Sequence, residues 1–400
     1  MNGLIKVISN RKIIIGLFLL LSVFASFQAQ LLSKKSFEET GVKYSKYNNY
    51  IIFKQSFSHL TENKDLYQYY PKEHRDLYKY SPTFSVFFGI FTLLPNSVGL
   101  TVWNIINAFV FLVAIYYLPR LTLTQKGVIL LICLIEFMTS IQNQQSNALL
   151  AGLIILTFGL LEKRNYWLAT FCIVFSIYIK VFGIVGLALF LFYPEKWKLA
   201  LYTLGWSLLL FVLPLLFINF DQLLFLYKSW GHLLDNDHTV SYGFSVMGWL
   251  HTWFGYDPGK QIILIIGVLL FLVPMVRIKE YKNLTFRFLT LTSVLLWVII
   301  FNHKAESPTF IIAMAGIAMW FITSEKNAVN IILFASAFIL TSISPTDLFP
   351  KFIRDEYVTP FVLKAFPCIL IWLKIIWDMV ILKTDHLALD TTKADTVVVI

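Results

Sequence analysis

The chain has 400 residues, of which 58% are hydrophobic and only 14% are charged, with a mean hydropathy of +0.70. A soluble domain carries about 25% charged residues, so this composition excludes the ordinary soluble classes. Apolar runs of about 20 residues recur along the whole length, which predicts an all-α polytopic membrane protein. In a soluble protein, a net charge of +10 would suggest binding to nucleic acid. Much of the Lys and Arg instead lies at helix ends, which indicates membrane orientation and no nucleic-acid partner.

We predict about twelve membrane spans in a single domain over residues 1–382, followed by a cytoplasmic tail over 383–400. Residues 1–30 resemble a signal peptide, but the many later spans favour an uncleaved first helix. The piece 83–94 is too short to cross, so we interpret it as re-entrant or interfacial. The predicted spans lie near 13–31, 98–118, 127–142, 146–162, 166–180, 182–194, 199–218, 261–276, 285–301, 308–323, 328–344 and 361–382.

Basic residues mark alternate turns between these spans, as the positive-inside rule expects for the cytoplasmic side. The turns of the other set should therefore face outward, and they include two long loops, 32–82 and 219–260. The outward set also holds the turn 142–147 (QNQQSN), Lys180 and the turn 301–308 (FNHKAESP). The basic turns contain Lys6, Arg11, Lys12, Arg120, Lys126, Lys163, Arg164, Lys196, Lys198, Arg277, Lys279, Lys282 and Lys326.

Any active site should lie on the outward side, because the predicted cytoplasmic turns are too short to build one. The sequence has neither a G-x-x-x-x-G-K-[ST] loop nor a G-x-G-x-x-G motif. Nucleotides are scarce outside the cytoplasm, so these observations together favour a lipid-carried substrate. The three cysteines, Cys133, Cys172 and Cys368, lie in apolar runs and form neither a disulfide framework nor a zinc pattern.

The first outward loop is rich in tyrosine, which favours the membrane–water interface. Apolar and aromatic residues between 47 and 60 follow the spacing of an interfacial helix. An aromatic belt explains part of this pattern. It does not explain the charged group placed just before Tyr80, Ser81 and Pro82, which is Asp65, Glu73, His74, Arg75 and Asp76.

Three further outward segments carry candidate binding residues. Gln145 and Asn147 offer amides suited to sugar hydroxyls, although they would also cap helix ends. Lys180 either pairs with a phosphate or extends to the lipid headgroups. His303, Lys304 and Glu306 suggest an anion site, whereas the alternative is a charged helix corner in water.

A metal site is only superficially suggested by Asp235, Asp237 and His238. A magnesium site needs carboxylates that converge with substrate phosphates, which spacing alone cannot show. We therefore expect no cofactor, with a divalent metal left open.

Several motifs follow one another in a characteristic order. The first outward loop carries DLY and then YKYSPTF, and a short apolar piece ends in LP. A helix with WNIIN, the Gln145–Asn147 turn, Lys180, GFSVMG and a late histidine turn follow. Over roughly residues 10–345 this order resembles glycosyltransferase family 87 of the GT-C superfamily.

The resemblance implies a GT-C-like helix bundle with amphipathic helices in the first outward loop. It also implies an inverting hexosyltransferase that moves a sugar, typically mannose, from a polyprenyl-phosphate donor to a lipid or glycan acceptor. The expected location is a bacterial inner membrane, with the site extracytoplasmic. One departure is clear: the family usually places an aspartate early in the first loop, where this chain has Lys43 and Lys46 in GVKYSKYNNY.

An inverting transfer needs a carboxylate base for the acceptor hydroxyl and cations for the departing phosphate. We expect Asp76 as the base and Glu306 as the second candidate; Glu38, Glu39 and Asp65 remain alternatives. The expected substrate-binding residues are Lys180, His303, Lys304, Arg75, Gln145, Asn147 and Tyr80. The other classes left open are a transporter or flippase and a non-catalytic binder of lipid-linked sugars.

Overall fold

The structure is a computed structural model that describes residues 2–32, 35–36, 41–236, 242–257 and 259–381. Within these ranges the chain is nearly all helical, apart from the two-residue antiparallel strands β1 (Lys35–Ser36) and β2 (Lys43–Tyr44). The cytoplasmic tail predicted for 383–400 lies outside the described residues. The α-helices are α1 Asn2–Ser9, α2 Arg11–Leu31, α3 Asn48–Thr61, α4 Pro82–Phe87, α5 Gly89–Thr92, α6 Asn96–Tyr117, α7 Leu123–Ile132, α8 Leu134–Gln142, α9 Asn147–Glu162, α10 Tyr166–Ile179, α11 Lys196–Val212, α12 Phe220–Asn236, α13 Val246–Phe254, α14 Lys260–Leu272, α15 Leu284–Ile300, α16 Phe310–Thr323, α17 Ala328–Ala337, α18 Lys351–Ile353 and α19 Phe366–Ile381.

Several of these helices continue into 3-10 or π-helical segments. The 3-10 segments are Val181–Phe192, Leu213–Leu216, Val273–Val276, Ile278–Lys282 and Ser307–Thr309. The π-helical segments are Phe338–Ile343 and Arg354–Val358.

Each predicted span overlaps a helix, and two of them differ in form from the expectation. The span 127–142 is bent by 50° between α7 and α8, and the span 182–194 is a 3-10 helix. Among the described residues, three helices are long and apolar enough to cross a membrane, or four if the bent pair counts as one span. The chain is thus a multi-pass membrane protein, while the count of about twelve crossings stays a prediction.

The loop segments contain more helix than the sequence predicts. The interfacial helix expected over 47–60 corresponds to α3, and the short apolar piece corresponds to α4 and α5, which end before Pro95. In the second long loop, the aromatic-rich latter half of residues 235–255, which is typical of an interfacial helix, contains α13. Helix α12 was not predicted; it buries Leu223 and Leu226 and contacts α4.

The interior of the bundle is formed by α9, α15 and α16, whose side chains are mostly buried. Helix α9 packs closely on α6 because Gly152 faces the backbone of Val110. A Cβ atom at Gly152 would lie only 2.9 Å from that backbone, so a larger residue would push the helices apart. Helices α11 and α14 expose many large apolar side chains, as helices that face lipid do.

Two largely buried ion pairs link helices of the bundle. At the C-terminal end of α9, Glu162 accepts hydrogen bonds from Arg287 Nε (2.6 Å) and Nη2 (2.8 Å) and from the Tyr193 hydroxyl (2.7 Å). On α8, Glu136 Oε1 accepts from Lys364 Nζ at 2.7 Å, and both side chains are only 1% exposed.

Candidate functional site

A cavity of about 620 Å³, the main cavity, lies between the end of the first loop, α14 and the end of α15. Its size suits a small-molecule ligand. Its lining includes the apolar side chains Phe53, Leu77, Phe182, Val185, Leu264 and Trp297. Polar and charged side chains complete the lining, so the cavity can accept a ligand that is itself amphipathic.

A hydrogen-bonded chain of four side chains crosses one side of the main cavity. Lys180 Nζ donates to Asn147 Oδ1 at 2.7 Å, and Asn147 Nδ2 donates to Gln145 Oε1 at 2.7 Å. Gln145 Nε2 then donates to Glu306 Oε2 at 3.1 Å. This chain connects an ammonium to a carboxylate through two amides, and it orients all four groups.

Lys180 reaches this chain because the backbone changes direction at its position. Helix α10 ends at Ile179, and Lys180 is extended (φ −143°, ψ 124°) before the 3-10 segment begins. Its ammonium lies 5.6 Å from the ring centre of Tyr80 and 5.7 Å from that of Phe182. The lysine therefore lies on the cavity wall.

The turn 301–309 is fixed by contacts from two other segments. Asn147 Nδ2 donates to the Pro308 carbonyl at 2.9 Å, and the Phe244 N–H donates to the Ala305 carbonyl at 2.9 Å. Gly243 has φ +53°, and a Cβ there would lie 2.8 Å from the carbonyl oxygens of His303 and Ala305. Gly243, the first glycine of the GFSVMG motif, therefore permits the close approach that holds this turn in place.

Basic side chains outnumber carboxylates in the described lining of the main cavity. The basic side chains are Lys79, Lys180, Lys260, Lys304 and His303, whereas the acidic ones are Asp76 and Glu306. Lys260 Nζ lies 3.4 Å from His303 Nε2, which joins the start of α14 to the turn after α15. This excess of positive charge favours an anionic ligand.

Asp76 lies beside the N-terminus of α3, at the rim of the main cavity. The Arg75 N–H donates to Asn48 Oδ1 at 3.0 Å, which attaches this part of the first loop to the helix start. The Asp76 side chain is 57% exposed, and Lys79 Nζ lies 3.9 Å from its Oδ1. Asp76 also lines a second space together with Lys46 and Asn48.

Buried side chains support the loop that carries Asp76. His74 is 2% exposed and contacts the Asp76 backbone, and burial lowers the pKa of this histidine. Burial also raises the pKa values of Tyr67 and Tyr78, so both phenols stay neutral. The Tyr67 hydroxyl donates to the Tyr80 carbonyl at 2.9 Å, and Ser146 Oγ donates to the Tyr80 hydroxyl at 3.3 Å.

A second space of about 790 Å³, the amide pocket, adjoins the main cavity. Three residues line both spaces: Asn49, Asp76 and Asn143. The amide pocket is bounded by the end of α2, the segment 44–49, Arg75 and the turn after α8. Its amide side chains are Gln28, Asn48, Asn49, Gln142, Asn143 and Gln144.

The structure brings most of the sequence-predicted residues to one place. Asp76, Glu306, Lys180, His303, Lys304, Gln145 and Tyr80 line the main cavity. Arg75 lines the amide pocket instead, and Asn147 lies behind the wall and holds Lys180.

The alternative acids are placed differently. Asp65 accepts hydrogen bonds from Ser229 Oγ at 2.9 Å and from the Tyr67 N–H at 3.1 Å, so it ties the first loop to α12. Asp235 lies near the C-terminus of α12, and Asp237, His238, Glu38 and Glu39 lie outside the described residues. In the part of the chain that the structure describes, no three His, Cys, Asp or Glu side chains could together hold a metal ion.

Sequence reasoning missed two of the cavity's lysines. Lys260 begins α14 and resembles an ordinary basic residue at the start of a span. Lys79 lies between two tyrosines in YKY, where an aromatic belt gives no hint of its role. The one signal for Lys260 was its place at the end of a long outward loop, in GYDPGK.

The sequence and the structure were compared with known proteins. The model of glycosyltransferase family 87 matches residues 78–301, which is more than half of the chain, so the chain belongs to this family and is a glycosyltransferase. No curated protein matches it. Among solved structures, it is similar to the crystal structure of ArnT from Cupriavidus metallidurans bound to undecaprenyl phosphate, with 14% identity over 91% of this chain and 77% of that chain. The TM-score of 0.36 is too low to assign a fold from that likeness.

Proposed function

We propose that this member of glycosyltransferase family 87 transfers a hexose, mannose, from a polyprenyl-phosphate donor to a lipid or glycan acceptor. The observation that carries the proposal is the composition of the main cavity. The apolar side chains in its lining suit the first isoprene units of the donor. The four lysines and His303 in the same lining suit its phosphate.

In the proposed mechanism, Asp76 removes the proton from an acceptor hydroxyl as that oxygen attacks the anomeric carbon of the donor. The new carbon–oxygen bond forms on the face opposite the phosphate, so the configuration inverts. The bond from the anomeric carbon to the phosphate oxygen breaks, and the electron pair leaves with the phosphate. Lys180, Lys304 and His303 meet the growing negative charge on that leaving group.

Glu306 has a different proposed role, because Gln145 already donates a hydrogen bond to its carboxylate. Through Gln145 and Asn147 it keeps the Lys180 ammonium directed at the leaving phosphate. Gln145 and Tyr80 complete the polar wall around the sugar. This division leaves Asp76 as the base.

Radiolabelled sugar transfer in proteoliposomes tests the proposal. The donor is mannose linked to undecaprenyl phosphate, and a lipid and glycan extract of bacterial membranes supplies the acceptor. We expect label to move from the lipid donor to acceptor and the product to have the opposite anomeric configuration. Transfer from a nucleotide-linked mannose, with none from the lipid donor, would contradict the proposal.

We further propose that the protein resides in the bacterial inner membrane with the main cavity on the extracytoplasmic side. The three native cysteines are buried, so an impermeant thiol reagent has little background. Cysteines introduced at Ser58 and Lys304 should label in intact cells, whereas one at Lys279 should label only after the cells are opened. Labelling of Lys279→Cys but not of Ser58→Cys in intact cells would invert this orientation.

A further inference from the structure

We propose that the amide pocket binds the acceptor and that the acceptor enters it with a hydroxyl-rich glycan headgroup. This inference rests on the proposed function and names the substrate class of its second substrate. The main cavity and the amide pocket share the Asp76 carboxylate, so each can hold one of the two reactants.

Six amide side chains line the amide pocket, beside the charged groups of Lys46, Arg75 and Asp76. The amides match sugar hydroxyls. A carboxamide offers two donor hydrogens and a carbonyl acceptor, as a hydroxyl group needs, without introducing charge. Gln142 Nε2 donates to Gln28 Oε1 at 2.8 Å, so the ends of α2 and α8 present their amides in a fixed relation. A pre-oriented set of amides loses little conformational freedom when the ligand binds.

The lining described for the amide pocket has fewer large apolar side chains than that of the main cavity. Its apolar lining comes mainly from small residues at the end of α2, Ala25 and Ala29, together with Leu32. This lining suits the face of a sugar ring better than a polyprenyl chain. The two spaces therefore differ in chemistry as the two substrates do.

The boundary between the two spaces is built for transfer. Asn49 Nδ2 donates to the Asn143 carbonyl at 2.9 Å, which joins α3 to the turn after α8. Beside this bridge, Asp76 lies within reach of both spaces. An acceptor hydroxyl in the amide pocket can give its proton to Asp76 while its oxygen attacks the donor sugar in the main cavity.

The first experiment removes the linked amides. In Gln28→Leu/Gln142→Leu, we expect the KM for a mannose disaccharide methyl glycoside, used as acceptor probe, to rise at least tenfold. The KM for the undecaprenyl-phosphate mannose donor should stay within twofold. Gln222→Leu is the matched control, because this α12 amide contacts the Lys64 carbonyl and lines neither space. An unchanged acceptor KM in the double variant would overturn the inference.

The second experiment blocks each space separately and needs no knowledge of the acceptor. Ser45→Cys, in the amide pocket, and Leu234→Cys, in the main cavity, are each labelled with a charged methanethiosulfonate reagent. Label at position 45 should abolish transfer while binding of the radiolabelled donor persists, and label at position 234 should abolish donor binding. Full transfer after labelling at 45 would refute the acceptor assignment alone. Failure of the unlabelled protein to bind the donor would refute the proposed function and, with it, this inference.

Discussion

At each end of α9 a polar side chain accepts a hydrogen bond from a basic residue of another segment, but the two ends serve different purposes. They lie about 22 Å apart at 1.5 Å per residue. At one end, Asn147 holds Lys180 against the main cavity. At the other end, Glu162 is bound by Arg287 and Tyr193, and both members of the ion pair are at least 86% buried.

The difference lies in charge balance and in the space around the groups. The Glu162 carboxylate receives hydrogen bonds on both oxygens from a bidentate arginine, which completes the site. At the Asn147 end, five basic side chains and two acids surround a cavity of about 620 Å³. A carboxylate whose two oxygens are both bound by one arginine indicates a structural role, whereas excess positive charge around a cavity indicates a ligand.

The largest expected effect comes from Asp76→Asn at the cavity end. An amide cannot accept the acceptor proton, so we expect turnover to fall by about 10²–10⁴. Donor binding should be retained, because the cations remain. The measurement is mannose transfer in proteoliposomes, with folding checked by gel filtration in detergent.

Asp65→Asn is the matched control for this prediction, since Asp65 contacts Ser229 away from the cavity. It should keep normal turnover per folded molecule. Normal turnover in Asp76→Asn together with loss in Glu306→Gln would move the base to Glu306.

The next largest effect is on stability, at the opposite end of α9. Arg287→Met leaves the Glu162 carboxylate poorly compensated, which costs about 3 kcal/mol or more. We expect a lower midpoint of thermal unfolding with unchanged turnover per folded molecule. The double variant Arg287→Met/Glu162→Met should recover much of the loss, and a double variant less stable than Arg287→Met would contradict this interpretation.

A smaller effect is expected for Lys180→Met. A hydrogen bond to a charged group contributes about 1.5–3 kcal/mol, which corresponds to a rise of about 10- to 100-fold in the donor KM. Lys163→Met is the control, because Lys163 lies over the Tyr117 ring at the other end of α9. Equal donor KM values in the two variants would remove the distinction between the helix ends.

The smallest effect concerns His74, which supports the Asp76 loop. Burial lowers the pKa of this histidine below its ordinary value of 6.5, so the unfolded chain binds a proton more readily. Its contribution to stability is therefore present above pH 6.5 and is lost as the pH falls below that value. Thermal unfolding at several pH values should show a weaker dependence in His74→Gln, and an identical dependence would exclude the effect.

The sequence predicts the residues of the Lys180–Glu306 chain better than their arrangement. Polar groups at the ends of apolar runs are costly unless they meet partners, so Lys180, Asn147 and Glu306 stand out in a chain this apolar. Their order in the network depends on how α9, α10 and α15 pack. No local pattern contains that information.

Other features depend entirely on tertiary structure. Asp76 reaches the start of α3 only because the first loop returns there, and nothing in HRDLY signals this return. The bend at Cys133 has neither proline nor glycine to mark it. The amide pocket was missed because its residues come from four separate segments, each of which resembles an ordinary helix end.

Salt should affect the buried pair Glu136–Lys364 and the lysines of the main cavity differently. Mobile ions screen exposed charges over about 8 Å at physiological salt but reach a buried pair poorly. The link between α8 and the approach to α19 should therefore persist in concentrated salt, while attraction of an anionic lipid to the cavity lysines weakens. Concentrated salt should therefore weaken binding of the donor phosphate before it loosens the link between α8 and the approach to α19.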